Sequence, residues 1–361
     1  MAQTLYGGKL LDQGTFGCVY HPSILCSGKE AKRKKLVSKL QLHDINSKNE
    51  LFVGSLLREI TDYKSFFVPT VKSCPVSLKK IKEDVVQGCN VVSEYKDSKR
   101  PFILTYMPYI NNMPLGKYLP EILEERGFAK VFYRFYTHLL EGVKLMQTKN
   151  IVHYDIKGDN ILVDLDAKPV QPLFIDYGIS IVIDEENVEQ NYSSFYIFAP
   201  SYYYWSFEAL FISWILRGDE GNGFMSNLDN VISGNKIQTE LLDKYFDSNP
   251  LFDIKSAMFS DNSPFSRRFV ESYKRSFSDY FVGKYSDKTG RECIDDLIKT
   301  WRSWDVFSIT QFFLLRSRKF ASRLTEDSHH TEFFRTLYRA IKPDPRERLS
   351  IDDIIDEIDY D

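Results

Sequence analysis

The chain has no surplus of either charge. Its 361 residues carry 47 basic and 50 acidic side chains, a net of -3, which is too balanced for a general nucleic-acid or anionic-membrane binder. No stretch approaches the ~18 uninterrupted apolar residues that cross a bilayer, and Met1 to Leu10 lacks the apolar core of a secretion signal. Cysteine is sparse and unpatterned: Cys18, Cys26, Cys74, Cys89 and Cys293 include no Cys-x-x-Cys pair and no histidine at ligand spacing. That scatter predicts a reducing compartment and no structural zinc. The combined expectation is a soluble intracellular protein, cytoplasmic in the simplest case. No internal repeat is visible.

Aromatic residues, by contrast, make up 15% of the chain, which suits a packed globule rather than a disordered segment. Short β-branched or aromatic stretches predict strands at Lys9–Leu11, Cys18–Ile24, Leu36–Leu42, Val91–Tyr95 and Phe102–Met107. Leu51, Leu56, Leu57 and Ile60 predict one helix over 48–65. Past Pro108 the pattern turns helical. Phe128, Phe132, Phe135, Leu139, Leu140, Val143 and Met146 form a stripe at helical spacing that ends just before His153. The last residues, 351–361, place Ile351, Ile354, Ile355 and Ile358 on one face of a final helix. Lys29 to Lys35 is a basic run, read as a solvated loop in preference to a localisation signal. The expectation is an α+β chain with a β-rich first lobe over 1–107, a mainly helical second lobe over 108–361 and a cleft between them.

Chemistry concentrates between His153 and Gly178. Asp155 can accept a hydroxyl proton, Asn160 and Asp176 offer the hard oxygens that Mg²⁺ or Mn²⁺ prefers, and Lys157 adds positive charge among them. Such a set suits phosphoryl transfer, which depends on positioning and charge neutralisation. Near the other end, Gly14 and Gly17 interrupt two strands and would let backbone N–H groups approach phosphate oxygens; alone they are ordinary turn residues. Lys39 is different, because a lysine flanked by apolar strand residues needs a buried partner. Glu59 on the next helix is the preferred candidate and Glu50 the alternative.

This ordered set resembles the eukaryotic-type protein kinases: a glycine-rich loop, a strand lysine, a helix glutamate, a His-Arg-Asp loop ending in Asn, then Asp-Phe-Gly. Trp304-Asp-Val-Phe-Ser-Ile309 is similar to the family's Asp-Val-Trp-Ser helix, and Asp344-Pro-Arg-Glu-Arg348-Leu-Ser350 to its Asp-Pro-x-x-Arg-x-Thr segment. The resemblance implies a bilobal kinase fold and an ATP- and Mg²⁺-dependent kinase acting on protein substrates. Asp12, Gly14, Gly17 and Val19 would lie over the nucleotide, Lys39 would hold its α- and β-phosphates with Glu59 bracing it, and Thr105 to Met107 would read adenine beyond a gatekeeper at Leu104. Asp155 would act as base, Lys157 would steady the γ-phosphate, and Asn160 and Asp176 would hold the metal. His153 would brace the loop. Lys157, two residues past Asp155, points to Ser/Thr acceptors.

The departures carry information as well. Asp12 replaces the first loop glycine, Tyr177 replaces Phe, and Tyr154 replaces an arginine that pairs with a phosphorylated activation loop. A tyrosine offers no cationic fork, so activity is expected not to need phosphate on Ser193 or Ser194. Cys18 reads as an inert strand cysteine. In the eroded Ala-Pro-Glu region, Glu208 rather than Ser201 is expected to pair with Arg348. The interval 209–303 is a long helical insert, either packed on the second lobe or docking a partner. An inactive pseudokinase scaffold is the alternative function; a small-molecule or lipid phosphotransferase is a third reading that the Asp305 and Arg348 segments disfavour. In style the chain also resembles divergent kinases of large DNA viruses, which would place it in host cytoplasm or a virion.

Overall fold

A computed structural model describes residues 8–27, 35–197, 199, 202, 204–217, 234–248, 267–324 and 329–358. The basic run at 29–34, Pro200, Ser201 and the insert segments 218–233 and 249–266 lie outside these residues. The chain divides into two compact units, Met1–Pro114 with Asn160–Ser180, and Leu115–Asp159 with Ile181–Asp361.

Five antiparallel strands form the sheet of the first unit: β1 (Lys9–Gly14), β2 (Gly17–His21), β3 (Leu36–Leu42), β4 (Lys72–Val76) and β5 (Phe102–Pro108), in the order β1-β2-β3-β5-β4. Cross-strand partners share a face. Register places Cys18, Leu40, Leu104 and Cys74 on one face, where a buried core also takes in Tyr20, Leu42 and Tyr106. Val19, Lys39 and Thr105 occupy the other face, with Val37 and Met107 beside them. The stretch Val91–Tyr95, expected as a strand, is part of a short helix, Asn90–Tyr95; two consecutive valines fit either form. The strand missed by sequence, β4, contains Pro75, which an edge strand tolerates.

Helix α1 spans Ile45–Leu57, not 48–65. Asp44 starts it with a reciprocal capping box, its side chain accepting from Ser47 N–H while Ser47 Oγ accepts from Asp44 N–H. The buried stripe of α1 is Ser47, Glu50, Val53, Gly54 and Leu57. Three of those five are polar or glycine, so hydrophobic spacing alone mislocates the helix.

The cysteines overturn the expectation of unpaired thiols. Cys18–Cys89 and Cys26–Cys74 are disulfides, each with Cα atoms 5.9 Å apart, and Cys293 is buried and free. The partners lie 71 and 48 residues apart in sequence, so no local spacing announced them, and the argument for a reducing compartment falls with the pairing.

The second unit is built on the helix Phe128–Gln147, whose predicted stripe is buried from Phe128 to Met146. Phe132 meets Phe313 and Phe333 edge-on, at centroid distances of 4.8 and 6.0 Å. Among the described insert residues, the helix Arg267–Tyr285 packs Phe277 3.9 Å from Phe207 and Phe281 5.2 Å from Phe211. Phe277, Phe281 and Tyr285 have no exposed surface. These rings are core, which leaves them no docking role; Phe265 and the side chains of Tyr245, Phe246 and Phe269 lie outside the described residues. Among the described residues no helix is long and apolar enough to cross a membrane.

Candidate active site

In the first unit the β1–β2 turn carries the two glycines. A Cβ on Gly17 would sit 2.8 Å from the carbonyl oxygen of Leu40, whereas one on Gly14 would meet nothing within 4 Å. Gly17 is therefore required by the close approach of β2 to β3, and Gly14 leaves open space at the turn. Asp12 pairs with Val19 and so shares the Lys39 face, but it is exposed and its carboxylate turns back to accept from Gln13 N–H at 2.8 Å.

Lys39 is buried, and its ammonium donates to Glu50 Oε2 at 3.2 Å and Asp176 Oδ1 at 2.9 Å. Burial alone would lower its pKa; the Asp176 and Glu50 carboxylates outweigh that cost and hold it above the usual lysine range. Its partner is thus Glu50 and not Glu59, which is exposed beyond the end of α1. The reason is the helix start: with Asp44 as cap, position 50 is the one turned toward β3. Glu50 accepts also from Gln41 Nε2 at 2.9 Å and Thr70 Oγ1 at 3.0 Å. Gln41 and Thr70 carried no signal in the sequence, since neither belongs to a motif. One residue earlier on α1, Asn49 Nδ2 donates to the carbonyls of Gly178 and Ser180 at 3.1 and 2.7 Å, tying the helix to the Asp-Tyr-Gly segment.

Asn160 and Asp176 flank one end of a hairpin formed by Ile161–Asp164 and Gln171–Phe174, in which Ile161 pairs with Phe174. Ile175 N–H donates to the Asn160 carbonyl at 3.0 Å. An amide oxygen and a carboxylate brought to one hairpin end are the hard donors that a divalent cation takes. No cluster of three or more His, Cys, Asp or Glu that could hold a metal occurs among the described residues, so Mg²⁺ here would be completed by phosphate oxygens. Asp176 has φ +64°, a sparsely populated conformation for a non-glycine residue.

Leu104 is not on the Lys39 face; it is fully buried in the opposite core. Thr105, opposite Lys39, stands at the position expected of a gatekeeper, and its hydroxyl accepts from Gln41 Nε2 at 3.1 Å. Thr105 pairs with Lys39 on one side and Ser73 on the other, and the Tyr106 carbonyl accepts from Val71 N–H at 2.8 Å. The β4 ladder ends at Tyr106, so the first strand position whose outer edge is unpaired by β4 is Met107. Val19, Val37, Val68, Met107, Leu173 and Ile175 form an apolar group beside Lys39.

In the second unit, Asp305 accepts from the backbone N–H groups of His153 at 2.6 Å and Tyr154 at 3.2 Å. Burial raises the Asp305 pKa, opposed by His153 and by those two N–H donors. These bonds fix the turn in which Tyr154 takes φ +67°. Tyr154 is buried, its hydroxyl 3.0 Å from Ser213 Oγ and its ring stacked on Trp205 at 4.5 Å. It occupies a packed aromatic site, with Phe195 edge-on at 5.9 Å. Asp155 is mostly buried, and Lys157 Nζ donates to its Oδ1 and Oδ2 at 3.3 and 3.1 Å. Sequence reasoning passed over Tyr202, whose hydroxyl donates to Asp155 Oδ1 at 2.6 Å. Glu208 and Arg348 form the expected bidentate pair at 2.7 and 3.0 Å, both side chains almost wholly buried.

A sheet with a lysine held by a helix glutamate and an Asp-x-Gly carboxylate, and a helical unit with an Asp–Lys pair on an aspartate-braced loop, define a phosphotransferase of the kinase class. A model of the protein kinase domain matches residues 7–209, more than half of the chain. The chain belongs to the protein kinase family, which transfers phosphate from ATP to proteins.

Proposed function

We propose that this chain is an active Mg·ATP-dependent kinase that phosphorylates Ser or Thr hydroxyls of protein substrates. The single observation that carries the reading is the assembled Lys39–Glu50–Asp176 set: the cation meant for phosphate oxygens is already held by carboxylates on both sides, a costly arrangement without a ligand role. In the first unit, the apolar group of Val19, Val37 and Met107 would take the adenine ring, with the Met107 backbone at its edge. Lys39 would bind the α- and β-phosphates. Asn160 and Asp176 would hold Mg²⁺, which when bound neutralises developing charge on the phosphates.

Asp155 accepts the proton of the acceptor hydroxyl as that oxygen attacks the γ-phosphorus, the bond from that phosphorus to the β,γ-bridging oxygen breaks, and ADP leaves with the electron pair. Lys157 holds the carboxylate from both oxygens and contributes positive charge to the transferring group. Retention of lysine two residues after the base supports a Ser/Thr acceptor. The scaffold alternative gains nothing from Asp12, which is exposed and turned to its own backbone. Incubation with γ-labelled Mg·ATP and a generic protein acceptor, followed by phosphoamino-acid analysis, tests the reading. Label on Ser or Thr is expected. Nucleotide binding without any label on the acceptor would hand the role to the scaffold.

A further inference from the structure

A guanidinium stays charged at any ordinary pH and presents five donors, so an arginine withdrawn from water needs an acid partner. Among the described residues four arginines are not exposed: Arg291, Arg316, Arg323 and Arg348. Arg291 pairs with Glu189, Arg323 with Glu124 and Arg348 with Glu208. Half-buried Arg316 has no carboxylate among the described residues; its guanidinium lies over the Phe312 ring, 5.3 Å from the centroid, which leaves its N–H donors unused.

Two glycines set the place of this cation, all within the second unit. The helix Leu115–Glu121 begins so close to the catalytic loop that a Cβ on Gly158 would stand 3.1 Å from Gly116 Cα and 2.8 Å from Phe312 Cε2. A Cβ on Gly116 would meet Arg316 Nη2 at 3.1 Å and Gly158 Cα at 3.8 Å. The guanidinium tip thus stands next to the loop that carries Asp155 and Lys157. A row of rings joins the base to it: Tyr202, bonded to Asp155, lies 5.8 Å from Tyr204, Tyr204 lies 6.3 Å from Phe312, and Arg316 covers Phe312. Lys117, after Gly116, is exposed and adds positive charge; Asp159, the acid next to Gly158, is exposed and forms no ion pair with Arg316.

We propose that Arg316 selects protein substrates with an Asp or Glu within a few residues of the acceptor hydroxyl, that carboxylate serving as the ion partner which the fold does not supply. The proposal rests on the kinase reading above. An extended peptide advances ~3.3 Å per residue, so a substrate that delivers its hydroxyl to Asp155 carries its near neighbours along the ring row. The guanidinium fork takes a carboxylate by two parallel N–H bonds. Partial burial reduces screening, so the pair outweighs one between exposed side chains. A lysine at the same place in the substrate meets like charge, so the same arginine rejects basic sequences.

The test measures kcat/KM of the full chain, with Mg·ATP, for peptides that share one serine acceptor and differ only in flanking residues: glutamate, alanine or lysine. Wild type is expected to favour the glutamate peptide over the alanine peptide by at least about tenfold, with the lysine peptide poorest. Arg316→Met keeps an apolar stem over Phe312 and is expected to bring the glutamate-to-alanine ratio to about one. Arg316→Glu is expected to invert the order, the lysine peptide outrunning the glutamate peptide. Each ratio is read on a single protein sample, so incomplete folding of a variant lowers both of its members alike. Equal turnover of the three peptides by wild type, or an unchanged glutamate preference in Arg316→Glu, would overturn the inference and leave the kinase reading standing. No transfer to any peptide or to a generic protein acceptor would sink the kinase reading and this inference together.

Discussion

Lys39 and Glu50 are joined by a buried ion pair of 3.2 Å in which the glutamate is also held by Gln41 and Thr70. The glutamate that braces the strand lysine is therefore fixed by uncharged neighbours on β3 and before β4, within one folded unit. Asn49 pins the same helix to the Asp-Tyr-Gly segment. Glu50→Gln is expected to lower kcat/KM at least tenfold, about 1.4 kcal/mol of transition-state stabilisation. Glu59→Gln, outside the helix, stays within about twofold of wild type. Steady-state kinetics with varied ATP distinguish the two, and equal losses would sink the assignment.

Arg348 and Glu208 bury a bidentate pair, and the guanidinium also donates to the Lys342 carbonyl at 2.9 Å. Removing one charge strands the other, at a cost of about 3–5 kcal/mol. Glu208→Ala is expected to lose stability of that order in denaturant unfolding of the second unit. An unchanged midpoint would show that the pair does not anchor this segment.

The thiol inventory gives a direct check on the disulfides. Five cysteines less the four in two disulfides leave Cys293, whose thiol is pushed up to about 12 chiefly by burial. Ellman titration at pH 8 without reductant should find no reactive thiol in the native protein, one after denaturation, and five once the denatured chain is reduced. Five reactive thiols in the denatured, unreduced protein would restore the reading of a reducing compartment.

Phosphate on Ser193 or Ser194 has no cationic fork to dock on at position 154, where a buried tyrosine bonds Ser213 and stacks on Trp205. The Ser193→Ala, Ser194→Ala double variant is accordingly expected to keep its activity toward a protein acceptor within about twofold. A loss of tenfold or more would mean that a phosphorylated loop is needed after all.

The family's motifs are legible because each needs particular residue types in sequence order: Lys39, Asp155, Lys157, Asn160 and Asp176 stand in local patterns. The long amphipathic helix at Phe128–Gln147 was legible for a similar reason, its stripe being wholly apolar. Other features were not. The sequence favours Glu59 over Glu50 because three of the five inner-face residues of α1 are polar or glycine, and only the Asp44 cap fixes its phase. Leu104 reads as the gatekeeper in sequence because strand parity cannot be counted without knowing the β3–β5 register. The disulfides and the Tyr202–Asp155 bond join residues 71, 48 and 47 positions apart, and long-range pairing leaves no trace in local spacing.

Under the proposed function, Asp155 is the base of a working kinase. Asp155→Asn keeps the size of the side chain and removes its capacity to take a proton, so the most direct measurement is the single-turnover rate of phosphate transfer from Mg·ATP to a protein acceptor, with nucleotide affinity determined on the same samples. The predicted result is a rate about 100- to 10,000-fold below wild type with ATP affinity within about threefold. Equal rates for the two proteins, or no transfer by wild type despite bound nucleotide, would contradict it.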